Sequence, residues 1–171
     1  MSEHEIKILE VHESALVSKL SVLGAKRFFD GDIAATLYDF PDQSLAKEGK
    51  TVRLRSMGSE ATVMYKGKET GSGFVKERPK YGAYVGDILV LDALLKGIGL
   101  VPSESIPRFH RKGYELERIS FKFDTYPGIP TILEIEAGTD AEVGAWLSKL
   151  GFSPADALPW SVHQLLAHYE K

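Results

Sequence analysis

The chain has 171 residues, 43% of them apolar, which suits one self-sufficient globular domain spanning 1–171. Its net charge is -3, with no basic tail, so nucleic acid is excluded as an expected partner. It has no cysteine, which excludes disulfides, thiolate metal sites and thiol nucleophiles and leaves oxygen or imidazole to hold any metal. The opening Met-Ser-Glu-His-Glu is polar, unlike a signal peptide. No apolar run nears the roughly 20 residues that span a bilayer. A cytoplasmic protein with no membrane partner is therefore expected.

Residues 3–11 place Glu3, Glu5 and Lys7 at spacing two, with His4, Ile6 and Ile8 between them. That alternation predicts a strand with one charged and one apolar face. Residues 14–23 carry Ala15, Leu16, Val17, Leu20 and Leu23 at helical spacing, with Ser14 as N-cap and Gly24 just past the end. Strands follow at 25–30, 34–40, 51–57 and 60–67, set apart by Asp-Gly, Pro-Asp, Glu-Gly and Met-Gly-Ser punctuation. Another is expected at 71–85, with a Gly-rich entry. Asp87 caps a helix through Lys96 whose apolar stripe is Ile88, Leu91, Leu94 and Leu95. Residues 106–124 and 130–137 again read as strands. Thr139 and Glu142 form a capping box opening a helix to Leu150, which Gly151 stops. A final helix covers 160–169. Eight strands and four helices, strand-rich in the middle, predict an α+β fold built on an antiparallel barrel or curled sheet.

The charged alternation of the first strand returns on others. Arg53 and Arg55 alternate with Val52 and Leu54, and Lys66 and Lys68 share a phase with Thr62 and Met64. Arg111 lies in a stretch that runs through Phe121 and Phe123 to Asp124, and Glu134 and Glu136 alternate with Leu133, Ile135 and Ala137. On one strand this describes a solvated sheet face with ion pairs of little value. Over five segments, recurrent arginine and glutamate doublets opposite an apolar phase favour a barrel with charges inside and helices outside. Such an interior needs a ligand and metal ions to neutralise it. Clustered carboxylates bind hard cations such as Mg²⁺ or Mn²⁺, while arginine forks and lysine ammoniums bind phosphate oxygens. Together they describe a metal–polyphosphate site suited to phosphoryl transfer.

The ordered series resembles the CYTH, or triphosphate tunnel metalloenzyme, family, which includes class IV adenylyl cyclases, thiamine triphosphatases and inorganic tripolyphosphatases. Glu3, Glu5 and Lys7 match its Glu-x-Glu-x-Lys signature. Tyr38 to Pro41 resembles its aromatic strand, Val52 to Arg55 its Leu-Arg-x-Arg strand and Tyr65 to Gly67 its Lys-Gly strand. Arg111 to Tyr114, Asp124, the Glu134-x-Glu136 pair and the ending Ser161 to Leu166 follow in order.

The resemblance implies a closed eight-stranded antiparallel β-barrel, the triphosphate tunnel, with helices packed outside. It implies Mg²⁺ or Mn²⁺ on Glu3, Glu5, Glu134 and Glu136, and a triphosphate gripped by Lys7, Arg53, Arg55, Lys66 and Arg111. Lys7 and Asp124 stand as catalytic residues, Asp124 as a metal ligand or as a polar partner near the reacting phosphate.

Hydrolysis of tripolyphosphate, a nucleoside triphosphate or thiamine triphosphate is placed ahead of cyclisation, because hydrolysis needs only phosphate grip, metals and water. A class IV adenylyl cyclase converting ATP to cyclic AMP and pyrophosphate is the alternative; a non-catalytic polyphosphate- or nucleotide-binding module is a further one. Homodimerisation stays open. The chain departs from the family pattern twice. Phe109 stands two positions before Arg111 where a basic residue is common, with Arg108 beside it. Lys-Glu-Arg-Pro-Lys-Tyr over 76–81 replaces an Arg-x-Glu pattern, and its Pro79 suggests an edge or bulge.

Other signals are set aside. Ser44 to Thr51 ends like a P-loop but lacks its first glycine and precedes a strand. Gly71-Ser72-Gly73 reads as a turn rather than a dinucleotide fingerprint. His4, His12, His110, His163 and His168 show no metal-type spacing, and His110 is out of phase with the tunnel. Trp146 and Trp160 read as packing residues on helices. Lys68 shares the inward phase but lies near a strand end.

Overall fold

Eight strands close on themselves: β1 (Ser2–Ile8), β2 (Lys26–Asp39), β3 (Thr51–Met57), β4 (Glu60–Lys66), β5 (Lys76–Val85), β6 (Val101–Leu116), β7 (Ile119–Thr125) and β8 (Ile132–Ala137). In this computed structural model, which describes residues 2–58, 60–70 and 74–170, the order around the barrel is β1-β5-β4-β3-β2-β6-β7-β8. β8 pairs back onto β1, and every pairing is antiparallel. Among the described residues every strand thus has a partner strand on each side. Among the described residues no helix is long and apolar enough to cross a membrane.

Period-two alternation now has two physical sides. On the outside, Ile6, Ile8, Phe121, Phe123, Leu133 and Ile135 are all at most 3% exposed. They lie under α1 (Glu13–Val22) and α4 (Asp140–Leu150), meeting Leu16, Leu20, Val143, Trp146 and Leu147. The Trp146 ring meets Phe121 edge-on at 5.0 Å. α3 (Ile88–Gly97) covers Tyr38 and Leu54 through Leu95. α5 (Val162–Tyr169) sets Leu165 against Ile33, Ile106, Phe109 and Tyr126, an apolar group at one end of the barrel.

The strand count agrees with the sequence reading although the boundaries differ. Residues 25–30 and 34–40 are one strand, β2, because Asp30, Gly31 and Asp32 stay paired with Lys112, Arg111 and His110 of β6. Register shifts at Arg27/Phe29, Ile33/Ala35 and Leu37/Tyr38 bend it round the barrel. The stretch 106–124 is instead two strands, parted at Glu117, whose φ of 59° is left-handed. β1 stops at Ile8 because Glu10 also turns left-handed, at φ 54°. Gly71-Ser72-Gly73 lies outside the described residues.

Among the described residues there are five α-helices rather than four. The extra one, α2 (Ser44–Lys47), is a single turn whose free amides at Leu45 and Ala46 donate to the Asp39 carboxylate, each at 2.9 Å. Thr51 after it opens a strand, as expected. Ser14 is not the cap of α1: the helix starts at Glu13, with His12 in the cap position. Asp87 caps α3 as expected, accepting from the Leu89 and Val90 amides. Leu94 is 54% exposed, however, because α3 meets the barrel along Ile88, Leu91 and Leu95. Thr139 accepts from the Glu142 amide, but the Glu142 carboxylate accepts from the Thr139 hydroxyl, so the reciprocal half of that box is not made. Gly151 ends α4 at φ 96°. Trp160 precedes α5 rather than lying on it, and Ser161 and Gln164 form the cap there.

Pro79 is neither at an edge nor in a bulge. β5 is paired on both sides, to β1 through 76–79 and to β4 through 80–85. The Gly67 amide donates to the Pro79 carbonyl at 2.8 Å, the kind of pair that normally returns a second bond. Proline has no N–H to return it. Arg78 Nε donates to the Gly67 carbonyl instead, at 3.1 Å, which lets a proline sit inside a closed sheet.

Candidate active site

The inward phase converges on one cavity of about 270 Å³. Glu5 and Lys7 enter from β1, Arg53 and Arg55 from β3, Lys66 from β4, Arg111 from β6, Asp124 from β7, and Glu134 and Glu136 from β8. Glu3 is 3% exposed and lies beneath the wall, ion-paired to Lys66 and to Lys80, whose Nζ is 2.9 Å away. The ten residues singled out from the sequence are thus brought together. Arg53 and Glu136 share a cavity, which contradicts a solvated charged sheet face.

The carboxylates fall into two groups. Glu3, Glu5 and Glu136 each bring an oxygen within 4.8 Å of the others. Lys80 Nζ is 2.6 Å from Glu136 and Lys66 Nζ 3.4 Å from Glu5. Both Glu3 oxygens are buried, with the Lys66 and Lys80 ammoniums as their charged neighbours. Glu134 stands apart from this trio, 3.0 Å from Lys7 Nζ, 2.9 Å from Lys122 Nζ and 3.9 Å from Arg111. Asp124 accepts a two-pronged grip from Arg111, 2.6 Å from Nε and 2.5 Å from a terminal nitrogen.

Burial by itself would raise these carboxyls and neutralise the lysines. For Glu5 the ammoniums of Lys7, Lys66 and Lys76 overcome burial and bring its pKa down to about 2. Against the same burial cost, Lys122, Lys7 and Arg111 hold Glu134 well below the carboxylate range, and Lys122 and Lys80 hold Glu136 low. Burial likewise pulls Lys7 down, but Glu134 and Glu5 outweigh it and keep the ammonium charged. At Lys66 burial wins over Glu5 and Glu3, and its pKa falls.

A pH dependence follows. Folded carboxyls with lowered pKa contribute stability above their unfolded value and lose it as pH falls towards the folded one. Resistance to urea is therefore expected to drop steeply from about pH 4.5 towards pH 2, the span between the ordinary and shifted values of Glu5. A flat urea midpoint between pH 5 and 2.5 would contradict the buried network.

Arg53 and Arg55 differ from Lys7, Lys66 and Arg111: among the described residues neither makes an ion pair with an acid. Arg53 Nε is buried without a hydrogen-bond partner, and a terminal nitrogen only meets the Met64 sulfur at 3.4 Å. Arg55 Nε donates to Thr62 Oγ1 at 3.3 Å. Burial, reinforced by Arg53 and Arg111, pulls the Arg55 guanidinium down to about 9. These two donors face open cavity with positive charge unspent.

The sequence reading missed four bases and a phenol. Lys76, Arg78 and Lys80 project inward from β5, and Lys122 from β7. Their signal was spacing two, in phase with Asp124 for Lys122 and hidden by Pro79 for the others. Tyr126 lies just past β7, where no periodicity reaches; burial, with Asp124 beside it, raises its phenol. It stacks on Phe109 at 4.4 Å, and the Arg111 guanidinium lies 5.5 Å over the Phe109 ring. The residue standing in place of a base is thus an inward aromatic wall. Arg108 beside it is exposed, near Asp32. His110 faces outward between Asp30 and Asp32, and Lys68 is exposed beyond the end of β4. His163 meets Glu104 at 2.6 Å at the α5 end of the cavity.

A model of the CYTH domain matches residues 1–150. No curated protein matches the chain. Among solved structures, a candidate adenylate cyclase from Vibrio parahaemolyticus is similar, with a TM-score of 0.84 and 17% identity covering 96% of this chain and 97% of that one. A protein from Pyrococcus horikoshii follows with TM-score 0.75 and 20% identity over 95% and 98% of the two chains. A candidate adenylyl cyclase from Hippeastrum, described as having a dominant triphosphatase activity, has TM-score 0.61 and 17% identity over 88% of each chain. Such low identities establish a shared fold.

Proposed function

Because the chain belongs to the CYTH family, we propose that it is a divalent-metal-dependent enzyme that hydrolyses a triphosphate held inside the barrel. The observation that carries this reading is the Arg53–Arg55 couple, without an acid partner, sharing one cavity with Glu5 and Glu136, behind which Glu3 completes a carboxylate trio. Half-buried guanidiniums without acids are costly unless an anion meets them, and their forks match phosphate oxygens.

Glu3, Glu5 and Glu136 suit a hard divalent cation, since their carboxylate oxygens converge within 4.8 Å of one another. Glu134 joins the proposed ligand set as a more distant member. When bound, Mg²⁺ or Mn²⁺ supplies charge neutralisation at the transferring phosphoryl group. Arg53, Arg55 and Lys66 grip the phosphate chain. Arg111 reaches the phosphates in an orientation fixed by Asp124, whose two-pronged contact supports a positioning role over a free base. Lys7 stays protonated beside Glu134 and Glu5. It therefore acts by donating hydrogen bonds to developing negative charge rather than by removing a proton.

A second reading, class IV cyclisation of ATP, has one observation in its favour. The cavity ends against Phe109, Tyr126, Ile106 and Val162, an apolar wall with room for a base. Product analysis with ATP, tripolyphosphate and thiamine triphosphate in Mg²⁺ or Mn²⁺ separates the two. Orthophosphate release is expected; cyclic AMP with pyrophosphate would select the cyclase, and no product from any of them would reject both.

A further inference from the structure

Lys80 stands where nothing in the proposed reaction has yet used it. Its Nζ lies 2.9 Å from Glu3 and 2.6 Å from Glu136, two members of the carboxylate trio. An ammonium and a divalent cation seek the same thing there, oxygens converging from several carboxylates. Yet Lys80 is not locked in. Its side chain is 26% exposed while that of Glu3 is 2% exposed, and it lines the open cavity.

Its neighbour sharpens the point. Lys80 pairs directly opposite Lys66 across β5 and β4, and Lys66 also contacts Glu3 and Glu5. Like charges directly opposite on a sheet repel, and here shared carboxylates offset the repulsion. A cation taken up by those carboxylates would remove that compensation. Both ammoniums would then be driven towards the nearest negative charge.

We infer that Lys80 competes with the divalent cation for Glu3 and Glu136, and that its displaced ammonium turns into the cavity to meet the triphosphate. This rests on the reading of the cavity as a metal–triphosphate site. The competition makes the two ligands mutually dependent. The cation frees Lys80 for the phosphates, and a triphosphate that engages Lys80 clears the carboxylates for the cation. Thermodynamic reciprocity requires each to tighten the other by the same factor. Lys80 is thus a positioning residue that couples two binding events, and cation alone is held weakly.

Mn²⁺ binding without any triphosphate, followed by electron paramagnetic resonance of the free ion, tests this independently of turnover. Lys80→Met is expected to bind Mn²⁺ at least about tenfold more tightly than wild type, the order gained when one charged competitor for the same oxygens is removed. Lys80→Arg, which keeps the charge, is expected to stay close to wild type. Equal or weaker Mn²⁺ binding in Lys80→Met would overturn the role of Lys80 and leave the metal reading standing. Glu136→Gln is expected to weaken Mn²⁺ binding in both backgrounds; no change there would overturn the metal reading as well.

Discussion

Arg55→Met is expected to make the protein more stable and much less active. The guanidinium of Arg55 is half-buried beside Arg53 and Arg111 with no acid of its own, and desolvation lowers its pKa from 12.5 to about 9. Below about pH 9 both the folded and unfolded chains carry this charge, and the fold bears the cost of burying it. Replacing such a half-buried charge by an apolar side chain of similar length is expected to raise stability by about 1–4 kcal/mol. The sign has a pH signature. Between about 9 and 12.5 the unfolded chain holds the proton that the folded one has released, so wild-type stability recovers with rising pH. The advantage of the variant in urea unfolding is therefore expected to be full at pH 7 and to shrink above pH 9. Activity moves the other way: losing one donor to developing phosphate charge is expected to lower kcat/KM by about 10²–10³-fold. A variant that is both less stable and fully active would show that Arg55 is a structural group.

Glu136→Gln is expected to have the larger effect on turnover. The side chain keeps its size but loses the charge that brings it into the trio with Glu3 and Glu5. Several kcal/mol of transition-state charge stabilisation depend on a correctly held cation, so metal-dependent turnover is expected to fall roughly 10³-fold. Adding Glu134→Gln is expected to abolish it. Triphosphate binding should persist in both variants, because the arginines are untouched and the cavity has lost negative charge. Stability is expected to drop by about 1–3 kcal/mol, since the ammoniums of Lys80 and Lys122 both lose a partner. Isothermal titration with tripolyphosphate and phosphate release in Mn²⁺ measure the two halves. Turnover that survived the double variant would overturn the metal ligands assigned here.

The interior was legible because a strand has only two sides. Once Ile6, Leu133 and Ile135 were recognised as the buried outer phase, Glu5, Glu134 and Glu136 had to point the other way. The same logic would have found Lys122, flanked by Phe121 and Phe123, which are 0% and 1% exposed. It failed at Lys76, Arg78 and Lys80 because Pro79 argues against a central strand. The donor that resolves the conflict, Arg78 Nε to the Gly67 carbonyl, is a tertiary contact with no local signature. Strand boundaries erred for a related reason. Asp30-Gly31-Asp32 has turn composition, but pairing with β6 holds it extended. Which bases are paired and which are free depends on barrel register and on the reach of side chains across the interior, neither of which has a local signature. Arg53, opposite Leu37 and Met64, finds no acid, whereas Lys7, opposite Glu134, does.

Calorimetric titration of tripolyphosphate into the wild-type protein and an Arg53→Met/Arg55→Met variant, each with Mg²⁺, bears most directly on a triphosphate held inside the barrel. Saturable binding to the wild type at one site, lost in the variant while its fold remains intact, is the expected result. Equal binding to both proteins, or none to the wild type, would contradict it.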